Sequence, residues 1–132
     1  MNIGTAARQS GLSAKMIRHY ERTGLLRPVA RTEGGYRQFS QRDIEVLRFI
    51  RRARLLGFSI PQIDRLIHLW QDPQRESRQV RSVARGHLDD VEHKLAELQQ
   101  MKRTLQQLID ACHGDEAPDC AILDQLTASD SA

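Results

Sequence analysis

Apolar residues recur at helical spacing along most of the chain, and the breaks between these runs fall at Gly, Pro and Ser. Ile3 to Gln9 reads as a short helix that stops at the turn Ser10-Gly11-Leu12. Ser13 is placed to cap a second helix, which carries Glu21 late in its course and closes on Gly24 as a C′ glycine. A helix, a Gly-containing turn and a second helix within about 20 residues form a helix-turn-helix pattern. From Leu25 to Tyr36 the period breaks, punctuated by Pro28 and Gly34-Gly35. Leu26–Val29 and Tyr36–Phe39 are expected as two short strands flanking the Gly-Gly turn, a hairpin that would make a wing.

Ser40 opens a third helix, predicted to run to Arg54, with Asp43 three residues on as in a capping box. Ile44, Leu47 and Ile50, with Phe49 and Ala53, mark its apolar positions. Gly57 ends it, and Ser59-Ile60-Pro61 starts a fourth helix with proline in the first turn. Ile63, Leu66, Ile67 and Trp70 are its expected buried stripe, and Asp72-Pro73 stops it.

The stretch from about Ser77 to Ala111 holds no proline and a single glycine, Gly86. Val91, Leu95, Leu98, Leu105, Ile109 and Cys112 recur in steps of three and four, with Lys102 at one seam position and Met101 beside it. A helix of this length would run ~50 Å, more than the short preceding helices can cover. A coiled coil with a second chain is the simplest way to bury the seam, with a helix folded back on its own domain as the alternative. Beyond it lies Cys112-His113-Gly114-Asp115-Glu116-Ala117-Pro118-Asp119-Cys120; Ala121 to Leu126 adds a short helix and the last few residues read as frayed. The expected organisation is thus mainly α: residues 1–72 a winged helix-turn-helix domain, 76–111 a dimerisation helix, and 112–132 a loop with a short terminal helix.

Charge sharpens this picture. The net charge of +3 divides unevenly, with 14 Lys/Arg against 6 Asp/Glu in residues 1–75 and 6 against 11 in residues 76–132. A basic head fits a polyanion, because neutralising phosphates releases counterions. On the second helix Lys15, Arg18, His19 and Tyr20 are expected as exposed groups able to enter a major groove. Arg31, Tyr36 and Arg37 would flank the groove from the wing, and of Arg48, Arg51, Arg52 and Arg54 one or two are expected on phosphate. No apolar run reaches the ~20 residues of a bilayer span, and the opening residues lack the layout of a secretion signal, so a cytoplasmic location is expected. No Ser/His/Asp set, phosphate loop or acid/base carboxylate pair can be placed, which argues against an enzyme.

In a reducing compartment the two cysteines read first as reactive or metal-binding groups. Eight residues apart, Cys112 and Cys120 can close on one ion. Two soft sulfurs suit Cu(I) and its congeners and also accept zinc, which normally wants further ligands. Spacing alone leaves a metal site, a disulfide switch and two inert thiols open. His113 is a candidate third ligand; His19, His68, His87 and His93 are scattered and read as ordinary surface or half-buried histidines.

The segment MNIGTAARQSGLSAKMIRHYERTGLL, followed by GGYRQFS and RRARLLGFSIPQI, resembles the MerR family of bacterial regulators across nearly the whole chain. The resemblance implies a homodimer built on an antiparallel coiled coil and seated on a palindromic operator within an over-long promoter spacer. Effector binding would distort that DNA so that RNA polymerase can use the promoter. Within the family, the copper-efflux subgroup carries such a two-cysteine loop and binds a monovalent ion between the sulfurs. It has serine where sensors of mercury, zinc, cadmium or lead carry a further cysteine at the start of the long helix. This chain has Ser77 there, which in a dimer can face the partner's loop, and Arg81 one turn on is the expected charge partner of the dithiolate. The implied effector is Cu(I), with Ag(I) or Au(I) as congeners, one per chain, controlling export or detoxification genes. A divalent-metal sensor and a metal-free thiol switch are the alternatives, and His113 departs from the small residue or proline expected after the first cysteine.

Overall fold

The computed structural model describes residues 1–128, so the expected fraying of the final residues lies outside the described part. Six helices follow one another: α1 (Ile3–Ser10), α2 (Ala14–Arg22), α3 (Gln41–Leu55), α4 (Ile60–Gln71), α5 (Ser77–Ala111) and α6 (Ala121–Thr127). Their starts follow local chemistry. Asn2 and Ser13 accept hydrogen bonds from the amides of Thr5 and Met16, which would otherwise go unpaired at the helix ends. Ser40 with Asp43, and Ser59 with Gln62, form reciprocal capping boxes at α3 and α4. Gly11 ends α1 at φ +76°, a left-handed backbone angle that favours glycine.

Residues 1–85 form one unit and residues 86–132 a second. The core of the first is aliphatic: Ile17, Leu26, Ile44, Leu47, Ile50 and Ile63 are sealed together with Phe39. α1 packs on both α2 and α3, and all three helices contribute side chains to this core. In α4 Ile63, Leu66 and Ile67 are buried as expected, but Leu69 takes the place foreseen for Trp70. Trp70 is 37% exposed and stacks on Phe49, with ring centroids 4.7 Å apart.

The wing also differs from expectation. Among the described residues it contains a single antiparallel bridge, Arg31 to Arg37, and not two strands. Pairing begins further along than Leu26–Val29, where Pro28 has no amide to give. The hairpin instead holds through Gln38 N–H to Ala30 O (2.7 Å), Thr32 N–H to Tyr36 O (2.8 Å) and Gly35 N–H to Thr32 O (2.9 Å). Val29 and Phe39 then act as buried feet, anchoring the wing in the core.

α5 is unbroken through Gly86, and its residues 77–85 belong to the first unit. Its seam residues Leu95, Leu98, Leu105 and Ile109 are each more than half exposed, and Leu88 and Val91 are partly so.

Candidate nucleic-acid interface and thiolate site

α2 and the wing make one basic face. Lys15, Arg18 and His19 are exposed on α2, and Arg31 and Tyr36 are exposed on the wing. Arg18, Arg31, Tyr36 and Arg37 line a common cleft of about 170 Å³, so helix and wing meet there. Tyr20, expected on this face, is instead 3% exposed. It follows Ile17 by three residues and shares its inward stripe, so its ring belongs to the core and is not presented to a groove. His19 keeps to the outside, its ring tilted against that of Tyr20.

The feature that sequence reasoning missed is Glu21. Its side chain is 10% exposed and draws in three donors. Val29 N–H reaches Oε2 at 2.7 Å, Arg37 Nε reaches Oε1 at 2.8 Å, and Arg31 Nη2 lies 3.7 Å from Oε1. Nothing in local sequence pairs residue 21 with residues 29, 31 and 37; only the hairpin's return brings them together. Burial pushes the Glu21 carboxyl up, but the Val29 amide, the Arg37 hydrogen bond and the charges of Arg37 and Arg31 outweigh it, leaving it below the usual carboxylate value. A carboxylate lowered in the folded state stabilises above its unfolded pKa and loses that contribution as pH falls through the folded one. Glu21→Gln is therefore expected to lower the melting temperature at pH 7, with the gap from wild type closing as pH drops below about 4.5. Thermal melts of both proteins across that range check it; a gap independent of pH would remove the carboxylate from the account.

The other arginines are partly committed to the fold. Arg48 Nε donates to Gln9 O at the end of α1 (3.0 Å), and Arg54 Nη1 donates to Phe58 O across the α3–α4 turn (2.9 Å). Arg54 nevertheless remains exposed and available to phosphate.

The sulfurs of Cys112 and Cys120 lie 3.6 Å apart as free thiols, both half-buried. Cys112 follows the last residue of α5 and its amide is bonded to Leu108 O and Ile109 O. Cys120 is the N-cap residue of α6, and the turn between them is tightened by Ala117 N–H to Asp115 Oδ1. The Leu123 amide and the Cys112 thiol, helped by the Ile122 amide, hold the Cys120 thiol below its usual value, against burial and the charge of Asp124. The thiolate, which this lowering favours, is the form in which a cysteine ligates soft metals. For two thiolate bonds of the ~2.3 Å length typical of zinc to lie end to end, the sulfurs would have to part by about 1 Å from their 3.6 Å separation. Among the described residues no set of three or more His, Cys, Asp or Glu is gathered as for a metal. Ser77 is the first residue of α5 and Arg81 is exposed one turn later.

Comparison with known proteins now bears on both sites. Residues 1–69 match the family described as MerR HTH family regulatory protein, and residues 44–108 match MerR, DNA binding. The chain is 50% identical over 126 residues to heavy metal-dependent transcription regulator 2 of Rhizobium meliloti (strain 1021), covering 96% of this chain and 86% of that protein. It is 38% identical over 127 residues to the HTH-type transcriptional regulator CueR of Salmonella typhimurium (strain LT2), covering 96% and 92%. Among solved structures, the transcription regulator PbrR691 from Ralstonia metallidurans CH34 in complex with lead(II) superposes with a TM-score of 0.84 at 30% identity, over 96% of this chain and 98% of that one. Among the described residues, no helix is long and apolar enough to cross a membrane.

Proposed function

Because this chain belongs to the MerR family of helix-turn-helix transcription regulators, and is not an enzyme, we propose that it is a metal-responsive activator whose effector is Cu(I), with Ag(I) and Au(I) as congeners. Regulators of this family bind promoter DNA as dimers. We assign the DNA contacts to Lys15, Arg18 and His19 on α2, to Arg31 and Tyr36 on the wing, and to Arg54 at the end of α3. α2 supplies groups that can reach base edges, while the wing and Arg54 supply phosphate donors that set register. RNA polymerase is the downstream partner, and the cytoplasm the compartment.

The observation that carries the effector assignment is the pair of thiols on one short loop. Cys112 directly follows α5 and Cys120 caps the start of α6, so an ion held between them ties the two helices through nine residues of chain, Cys112 to Cys120. Two thiolates and a monovalent ion retain one negative charge. The amides of Ile122 and Leu123 already face Cys120 and favour that charge, and Arg81 from the second copy of the chain is assigned to offset the rest. Serine at position 77 withholds a third sulfur from the site, which favours a low coordination number. The divalent reading draws on the lead complex of the related regulator, but a tetrahedral ion would need donors beyond the two thiols.

Transcription in vitro from a promoter bearing the operator, run under reducing conditions with a panel of ions, tests the assignment. Induction is expected with Cu(I), Ag(I) or Au(I) and not with Zn(II), Cd(II), Pb(II) or Hg(II). Response to a divalent ion alone would overturn the monovalent reading. Induction by an oxidant in the presence of a copper chelator would favour a disulfide switch.

A further inference from the structure

Two guanidinium groups of the wing converge on the single carboxylate of Glu21, and they are held differently. Arg37 is bound at 2.8 Å and its side chain is 22% exposed. Arg31 stands at 3.7 Å and is 48% exposed, and its second Nη group donates to Gly35 O at 3.0 Å, across the tip of the hairpin. The other oxygen of Glu21 accepts the Val29 amide at the wing's foot. One carboxylate on α2 thus fastens the wing at its base and on its returning arm at Arg37, and leaves one cation outermost.

We infer that Glu21 is a positioning residue for DNA recognition: it locks Arg37 as an internal strut and holds Arg31 poised at the cleft shared with Arg18 and Tyr36, so that the wing offers phosphate one guanidinium and not two. This rests on the reading of α2 and the wing as the DNA face. Arg37 gains little by leaving a short ion pair in a mostly covered site, because a buried carboxylate left without its partner is costly. Arg31 is the reverse: its contact to Glu21 is long and wet, and a phosphate can replace it. The carboxylate also removes positive charge from the face. That lowers binding to any duplex while fixing the angle between wing and helix, which favours the correct one.

The consequence is visible in salt dependence, where each phosphate neutralised on duplex DNA contributes about −0.9 to the slope of log affinity against log salt. The full-length protein would be titrated against two duplexes of equal length, one selected by the wild type from a random pool and one scrambled, at several potassium chloride concentrations. Glu21→Gln keeps an oxygen for Val29 but loses the charge that holds Arg37. Its slope is expected to steepen by about one contact per wing, and its preference for the selected duplex to fall roughly tenfold, as suits the loss of a charged hydrogen bond. In the otherwise unaltered protein, Arg31→Gln should flatten the slope by about one contact per wing, and Arg37→Gln should leave it unchanged while reducing the preference. A merely structural role for Glu21 predicts weaker binding with the slope and the preference ratio unaltered, and would overturn the inference. So would a flattened slope for Arg37→Gln, since that arginine would then be on phosphate itself. Failure of the wild type to prefer any selected duplex, or to show salt dependence, would strike the reading of the DNA face instead.

Discussion

Replacing either thiol, by Cys112→Ser or Cys120→Ser, is expected to abolish metal-induced transcription while leaving operator binding and the melting temperature nearly unchanged. On the proposed reading the two sulfurs are the ion's two ligands, so each substitution removes half of the donor set. A hydroxyl is a hard donor that stays protonated at neutral pH, and it does not replace thiolate for a soft ion. Loss of a mere orienting partner can cost a metal site 10–100-fold in affinity; loss of one of two ligands should exceed about a hundredfold. Stability should barely respond, because both side chains are half-buried and neither belongs to the core of the DNA-binding unit. Native mass spectrometry should count one ion per wild-type chain and none in either variant, and transcription should sit at the uninduced level at every copper concentration. Cys120→Ser that still answered Cu(I) would sink the two-thiolate site, since Cys112 alone cannot enclose an ion.

How much of this was readable beforehand depended on the range of the interaction. Every cap is a contact over three residues, and Asn2 aside the sequence signs for them were plain: Ser13, Ser40 with Asp43, and Ser59 with Pro61 start helices where expected. Periodicity likewise placed α5 from Ser77 to Ala111 and found its apolar seam. The errors lie where the tertiary fold chooses between equivalent local options. Tyr20 is amphipathic, and only its tertiary packing with Ile17 in the shared core decides that its ring faces inward. Trp70 and Leu69 both suit a buried stripe; the partner ring of Phe49, from a different helix, drew Trp70 to the margin. The wing lacks the strand expected at Leu26–Val29 because pairing begins only after Pro28 and Val29. Arg37 and Glu21 are 16 residues apart, so their ion pair has no local signature. At the thiolate site the ligands were visible from spacing. The 3.6 Å approach of the sulfurs and the amides that activate Cys120 depend on the course of the loop into α6.

Leu98→Glu is expected to convert the protein from a dimer to a monomer and to cost operator affinity at least about a hundredfold. α5 presents Leu95, Leu98, Met101, Leu105 and Ile109 on its surface, each between 53% and 57% exposed. A contiguous apolar stripe of that kind marks an interface, because water would otherwise lie along it. Burying one leucine stabilises by about 1.5–3 kcal/mol, and symmetry makes every seam contact count in both copies. Glutamate at position 98 forfeits that twice and adds two carboxylates to be desolvated or left at a frayed seam. On the proposed reading, losing the dimer separates two DNA-reading heads that would act on one operator, and the second head's effective concentration vanishes with it, a factor of about 10²–10⁴ in linked binding. Sedimentation at micromolar concentration would report the change of mass, and a gel-shift titration the loss of affinity. A Leu98→Glu protein still dimeric at low micromolar concentration would place the interface elsewhere. Lys102 offers the converse test within the same seam. It occupies a position where the spacing calls for an apolar residue, and a polar group there sets register at a cost in stability. Lys102→Leu should therefore tighten the dimer, by about tenfold for each ~1.4 kcal/mol recovered, and blur the register in which the two helices meet.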